Sequence, residues 1–180
     1  MRLFKYTVAL VSIMLLGTSL YAKSAVEIDT QANAALKEFH KEVKGSVTFV
    51  DDNVKGLLIF PSIIKAGIGI GGEYGEGVLR INGKSVQYYS TASASIGFQF
   101  GAQQKSLIIA FMTDKALNDF RNKKGWKVGV DGSVALVNLG GGKDINSETA
   151  GKPVVGFMFG NKGLMYNLTL EGSKFTKIVR

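Results

Sequence analysis

Six of the eleven residues from Gly67 to Gly77 are glycine, and they follow an apolar run, Leu57 to Phe60, that ends at Pro61. Glycine loses more backbone entropy on folding than any other residue and brings no side chain to pack. A run this dense therefore marks backbone that must bend sharply or lie close against something. Read as an extended strand, Gly67, Gly69, Gly71, Gly75 and Gly77 share one face. That face is either a side-chain-free surface for close packing of another segment or a groove that contacts lipid. Gly67, Gly69 and Gly72 also satisfy the glycine spacing of a dinucleotide fingerprint. The fingerprint needs a helix opening directly after it, whereas Val78 and Leu79 here lead into a hairpin, so no helix N-terminus is offered to a pyrophosphate and no cofactor is expected.

The rest of the pattern surrounds this strand with others. Ile28, Ala32, Ala35, Phe39 and Val43 recur every three or four residues, which predicts an amphipathic helix ending near Gly45, with Lys37, Lys41 and Lys44 on the opposite side. The apolar stripe either covers the core or lies on anionic lipid. Residues 46–55 read as a further helical turn or a connector. From Gly56 the period becomes two. Leu57 to Phe60 is a buried strand closed by Pro61, a long strand follows through the glycines to Ile81, and Asn82-Gly83 is a two-residue hairpin signal leading into Ser85 to Thr91. Further strands are expected at Ile96 to Phe100 and at Leu107 to Met112. Thr113 or Asp114 caps a short helix that turns Ala116, Leu117 and Phe120 inward. Trp126 to Val130 and Val134 to Leu136 read as a strand pair turning near Asp131-Gly132. A long polar loop spans Gly140 to Lys152, and Val154 to Phe159 with Leu164 to Leu170 form a closing hairpin. The fold class is thus α+β: a strongly curved, barrel-like antiparallel sheet with an N-terminal amphipathic helix and a short helix between strands.

Residues 1–22 stand apart. Arg2 and Lys5 precede an apolar stretch from Tyr6 to Leu20, the pattern of a signal peptide cleaved after Ala22, with a retained membrane anchor as the alternative. Residues 23–180 then form a single domain, periplasmic or secreted and peripheral on a membrane. The chain has no cysteine, which excludes disulfides, thiolate metal sites and lipidation at a cysteine. Residues 23–100 carry as many acidic as basic side chains, while residues 101–180 hold twelve Lys or Arg against six Asp or Glu. The positive excess therefore lies entirely in the second half and points to an anionic partner. Export makes membrane lipid the better candidate, and no nucleic acid is expected. The densest cluster is Arg121, Lys123, Lys124 and Lys127 around Trp126, with Lys143, Lys152 and Lys162 on later loops. These are candidates for contacts to phosphate headgroups, with Trp126 as an interfacial anchor or a half-buried core residue.

Catalytic constellations are not evident. Glu73 and Glu76 have an odd separation, so an extended strand sends them to opposite faces, away from joint acid/base work. Each is better suited to a bond with nearby backbone or with a lysine. His40 is the only histidine, and neither a metal cluster nor a nucleophile elbow accompanies it.

Several segments together resemble one known family. They are Lys55 to Pro61, the glycine run with Gly-Glu-Tyr-Gly-Glu-Gly at Gly72 to Gly77, Ser95 to Gln103, Phe111 to Phe120, and Lys162 to Ser173 with its Leu-Glu-Gly-Ser. In order and spacing these resemble the SYLF domain, a lipid-binding family with Ysc-type actin-binding relatives, here in the style of a bacterial exported member. The tryptophan that relatives often carry within Ser85 to Tyr89 is absent, and Asn167 stands where they often have glycine. The resemblance implies non-catalytic binding of anionic phospholipid, with Arg121, Lys123, Lys124, Trp126, Lys127 and Lys162 as the lipid-binding candidates. The alternative is an envelope structural or interaction module that docks a protein partner.

Overall fold

The computed structural model describes residues 22–138, 151–163, 170 and 172–180. The leader-like segment up to residue 21, most of the polar loop and nearly all of the expected strand Leu164 to Leu170 lie outside the described residues. The described chain runs α1 (Ala25–Glu42), α2 (Ser46–Asn53), β1 (Gly56–Ile81), β2 (Lys84–Phe111), α3 (Asp114–Asn122), β3 (Gly125–Lys127), β4 (Ala135–Asn138), β5 (Val154–Gly163) and β6 (Lys174–Ile178).

Two very long strands organise everything else. β1 and β2 form one antiparallel ribbon turned at Asn82-Gly83, both at positive φ (50° and 73°), the geometry that a two-residue hairpin requires. The other edge of β2 carries β6 along Tyr88–Ala92 and β5 along Gln103–Phe111. β3 pairs outside β6, and β4 runs parallel to β5, so one pair of an otherwise antiparallel sheet is parallel. The six strands among the described residues form one sheet that curls into a half-barrel.

The glycines permit the curl. A methyl group at Gly67 would collide with the backbone of Gly71, one at Gly75 would lie 2.9 Å from the Ser62 carbonyl oxygen, and one at Gly77 would collide with the Ile59 carbonyl. Three contacts with the same descending register show β1 folding back on itself about residues 67–71. Of the two uses proposed for the glycine face, the structure shows close packing. Pro61 does not close a strand. It falls in the register shift between the Phe60↔Leu107 and Ile63↔Lys105 pairs, where the ladder needs no N–H from it, and its carbonyl accepts from the Ser106 hydroxyl at 2.9 Å.

Both faces of the sheet are covered at its thick end, which explains the unbroken apolar runs. Leu58, Phe60, Leu107, Ile109 and Phe111 point into the concave core with Phe120, Trp126 and Phe175. Leu57, Ile59, Ile108 and Ala110 point the other way, beneath Ile28, Ala32, Phe39 and Phe49 of α1 and α2. The α1 stripe is wholly buried, so the helix covers the core and offers no apolar face to a membrane; Lys37, Lys41 and Lys44 are solvated. Ser24 caps α1 by accepting from Glu27 N, and Thr113 caps α3 by accepting from Ala116 N. The expected strand pair at Trp126 to Leu136 does not form. Lys127 turns tightly into Asp131 instead; β3 joins β6, where Trp126 meets Phe175, and β4 joins β5.

Candidate functional site

Three groups of side chains cluster around the bend of the ribbon. Inside it, the ammonium groups of Lys65 and Lys105 converge on Glu73, at 3.5 Å and 2.9 Å from its two carboxylate oxygens, and all three side chains are buried. Gln103, on the same inner face, is also buried, and neither end of its amide has a partner among the described residues. Two cations against one anion leave this interior with an excess positive charge, held where one arm of the ribbon meets the other. The sequence reading missed the lysines because lone lysines in strands look solvated. Parity was the available signal: Lys105 shares a face with Leu107, Ile109 and Phe111.

Beside the bend, a cavity of about 380 Å³ opens at the free edge of β1, lined by Ala22, Lys23, Ile64, Tyr74, Glu76 and Arg180 among others. Burial alone would raise the Glu76 carboxyl. The Tyr74 hydroxyl at 2.7 Å, the Arg180 guanidinium and the Lys23 backbone N–H at 3.1 Å all donate to it and hold it below its ordinary value. Burial, reinforced by that bond to a carboxylate, pushes the Tyr74 phenol up to about 12. Glu73 and Glu76 thus face opposite sides of β1, each engaged by cations, as their odd spacing predicts.

At the bend itself, Ile68 is 77% exposed and Ile70 is 72% exposed, with Ile64 and Tyr74 half-open behind them. Among the described side chains of β1 and β2 these are the most open large apolar ones, and no described helix covers them.

The candidate cations are distributed as follows. Arg121, Lys123 and Lys124 follow one another from the end of α3 into the connector before β3, all exposed, and Lys127 ends β3. Lys123 is tied to Asp131 at 2.6 Å, and the Lys127 backbone N–H donates to the same carboxylate, so Asp131 sits below the usual carboxylate range. Trp126 is only 4% exposed and stacks among Phe120 and Phe175. It is a core residue that carries the cluster from beneath, the second of the two readings offered for it and not an interfacial anchor: Trp126 and Val128 face the core, and Lys127 between them faces out. Lys162 is exposed on β5 opposite Gln104, on the other arm of the ribbon from β3 and β6. Lys143 lies outside the described residues. Sequence reasoning also overlooked β6, which sets Lys174 directly across from Lys127, both exposed. His40, lowered below its ordinary value by burial, bonds Ser46 at 3.0 Å between α1 and α2, far in sequence from all of these.

Comparison with known proteins agrees with part of this picture. A family model described as Ysc84, Las17-binding protein actin regulator, matches residues 92–178, from the middle of β2 to the end of β6. No curated protein matches the chain. The matched stretch contains every cationic candidate named above, while the glycine run precedes it. Residues 92–178, just under half of the chain, thus match the model of this family, in agreement with the SYLF-domain resemblance of the sequence.

Proposed function

We propose that the protein is a non-catalytic module that binds anionic phospholipid at the surface of a bacterial cell envelope, reaching it after removal of residues 1–22. The observation that carries this reading is the Lys127↔Lys174 pair. Like charges set directly opposite across two strands repel one another, and a fold keeps such a pair at least cost where an anion outside the protein offsets it. Arg121 and Lys124 extend the same positive edge, and Asp131 is already engaged by Lys123. Each Lys or Arg near an anionic bilayer adds about 1 kcal/mol, so four such residues give reversible, salt-sensitive attachment. Vesicle flotation at low salt tests it. Lys127→Glu with Lys174→Glu should release the protein from phosphatidylglycerol vesicles, and unchanged flotation would refute the assignment of this edge.

The family description favours a second reading, in which the chain docks a protein partner. Association with an envelope protein that survives high salt, without vesicle binding, would establish that reading in place of the first.

A further inference from the structure

We propose that the bend of the β1–β2 ribbon is the part of the protein that enters the bilayer, with Ile68 and Ile70 as the inserted side chains. The inference rests on the lipid-surface reading above and names the element that performs it. An apolar helix face is the usual alternative for such a task, and α1 has none to give, since Ile28, Ala32, Phe39 and Val43 are all sealed against the sheet. The bend is different. It is the point at which β1 reverses, it forms the apex of the doubled-back ribbon, and its two isoleucines are about three-quarters exposed. Gly67, Ile68, Ile70 and Gly71 keep their ladder partners on β2, and the register slips only at Gly69 and residues 97–99, so the two isoleucines enter an apolar layer on paired backbone.

Charge is arranged to match. Gly67 pairs with Gly101 and Gly71 with Ser95, which brackets the bend on β2. Three residues from Gly101, Gln104 pairs with Lys162; three residues from Ser95, Ala92 pairs with Lys174, which in turn faces Lys127. Lysines therefore flank the bend on both arms at the same setback, roughly 10 Å on a 3.3 Å rise per residue. With the tip immersed by several ångströms, the ammonium groups come within a Debye length of the lipid phosphates. The acidic residues of this end, Glu73 and Glu76, are buried and paired, so no exposed carboxylate on these strands opposes the approach. The occupant is thus an anionic bilayer: an apolar tip behind which a basic collar meets headgroups.

The chain's lack of cysteine allows a site-specific test. Ile68→Cys, labelled with an environment-sensitive fluorophore, is mixed with phosphatidylglycerol vesicles, beside Val47→Cys on the far face of α2 as a control. The proposal expects a blue shift and gain of emission at position 68 only. It also expects Ile68→Ser with Ile70→Ser to weaken partitioning by roughly 10-fold or more per isoleucine while leaving the salt slope unchanged. Sedimentation of the labelled protein with vesicles but no change at position 68 overturns insertion of the tip and leaves the surface reading standing. Failure of the unsubstituted protein to sediment with any vesicle overturns both.

Discussion

The carboxylate of Glu73 meets the ammonium of Lys105 at 2.9 Å inside the folded ribbon, with Lys65 closing on its second oxygen at 3.5 Å. Glu73 belongs to the returning arm of β1, Lys65 to its outgoing arm and Lys105 to β2, so this one carboxylate ties together the strands that meet behind the bend.

Removing the anion should be severe. Glu73→Ala leaves two buried ammonium groups uncompensated, and a loss of about 3–5 kcal/mol is expected in a denaturant titration. Lys65→Met keeps the closer Lys105 pair and should cost less. Equal midpoints for Glu73→Ala and the unsubstituted protein would show that the triad does not hold the arms.

A pair of glycine substitutions isolates the close approach within β1. At Gly77 a methyl group strikes the Ile59 carbonyl and the Phe60 ring, whereas at Gly72 the nearest atom is 3.7 Å away, an ordinary contact. Gly77→Ala should lower stability by roughly 1–3 kcal/mol and Gly72→Ala should leave it nearly unchanged. Thermal melts of both variants read the difference directly.

Much of this was legible in the sequence, and the exceptions share a cause. The α1 stripe, the Asn82-Gly83 turn, the Thr113 cap and the packing face of the glycines follow from local chemistry alone. Pro61 misled because a proline inside a strand is tolerated only where register slips, and that slip is a property of the partner strand. The segments expected at Ser85 to Thr91, Ile96 to Phe100 and Leu107 to Met112 are one strand, since continuity depends on β1 accompanying β2 around the bend. β6 escaped notice because Lys174, Thr176 and Lys177 dilute its apolar pattern until Phe175 is seen against Trp126. Of the site, the cations of α3 and β3 could be read from the sequence, but the Lys127↔Lys174 pairing and the buried lysines required the topology.

Stability should depend on Glu76 in acid. Its folded pKa is depressed, so its contribution is present above the ordinary carboxylate value and is lost as pH falls through the lower folded value. Tyr74 behaves oppositely: raised to about 12, it contributes fully below pH 10 and loses that contribution as pH rises toward 12. Glu76→Gln should flatten the acid limb of a stability–pH profile. An acid limb identical to that of the unsubstituted protein would remove Glu76 from the account.

Among the cluster's cations, charge reversal should discriminate by pairing. Lys124→Glu should weaken vesicle binding more than Lys123→Glu, whose ammonium is already shared with Asp131 at 2.6 Å. The difference expected is a few-fold at low salt and near zero at high salt, on the basis of about 1 kcal/mol per free cation. Equal losses would mean that Asp131 does not hold Lys123 in solution.

The central claim is anionic-surface recognition, and co-sedimentation of the purified protein with neutral and with phosphatidylglycerol vesicles across a salt series tests it most directly. The account predicts binding to the anionic vesicles alone, falling steadily as salt rises. Equal binding to both vesicles, or to neither at low salt, would contradict it.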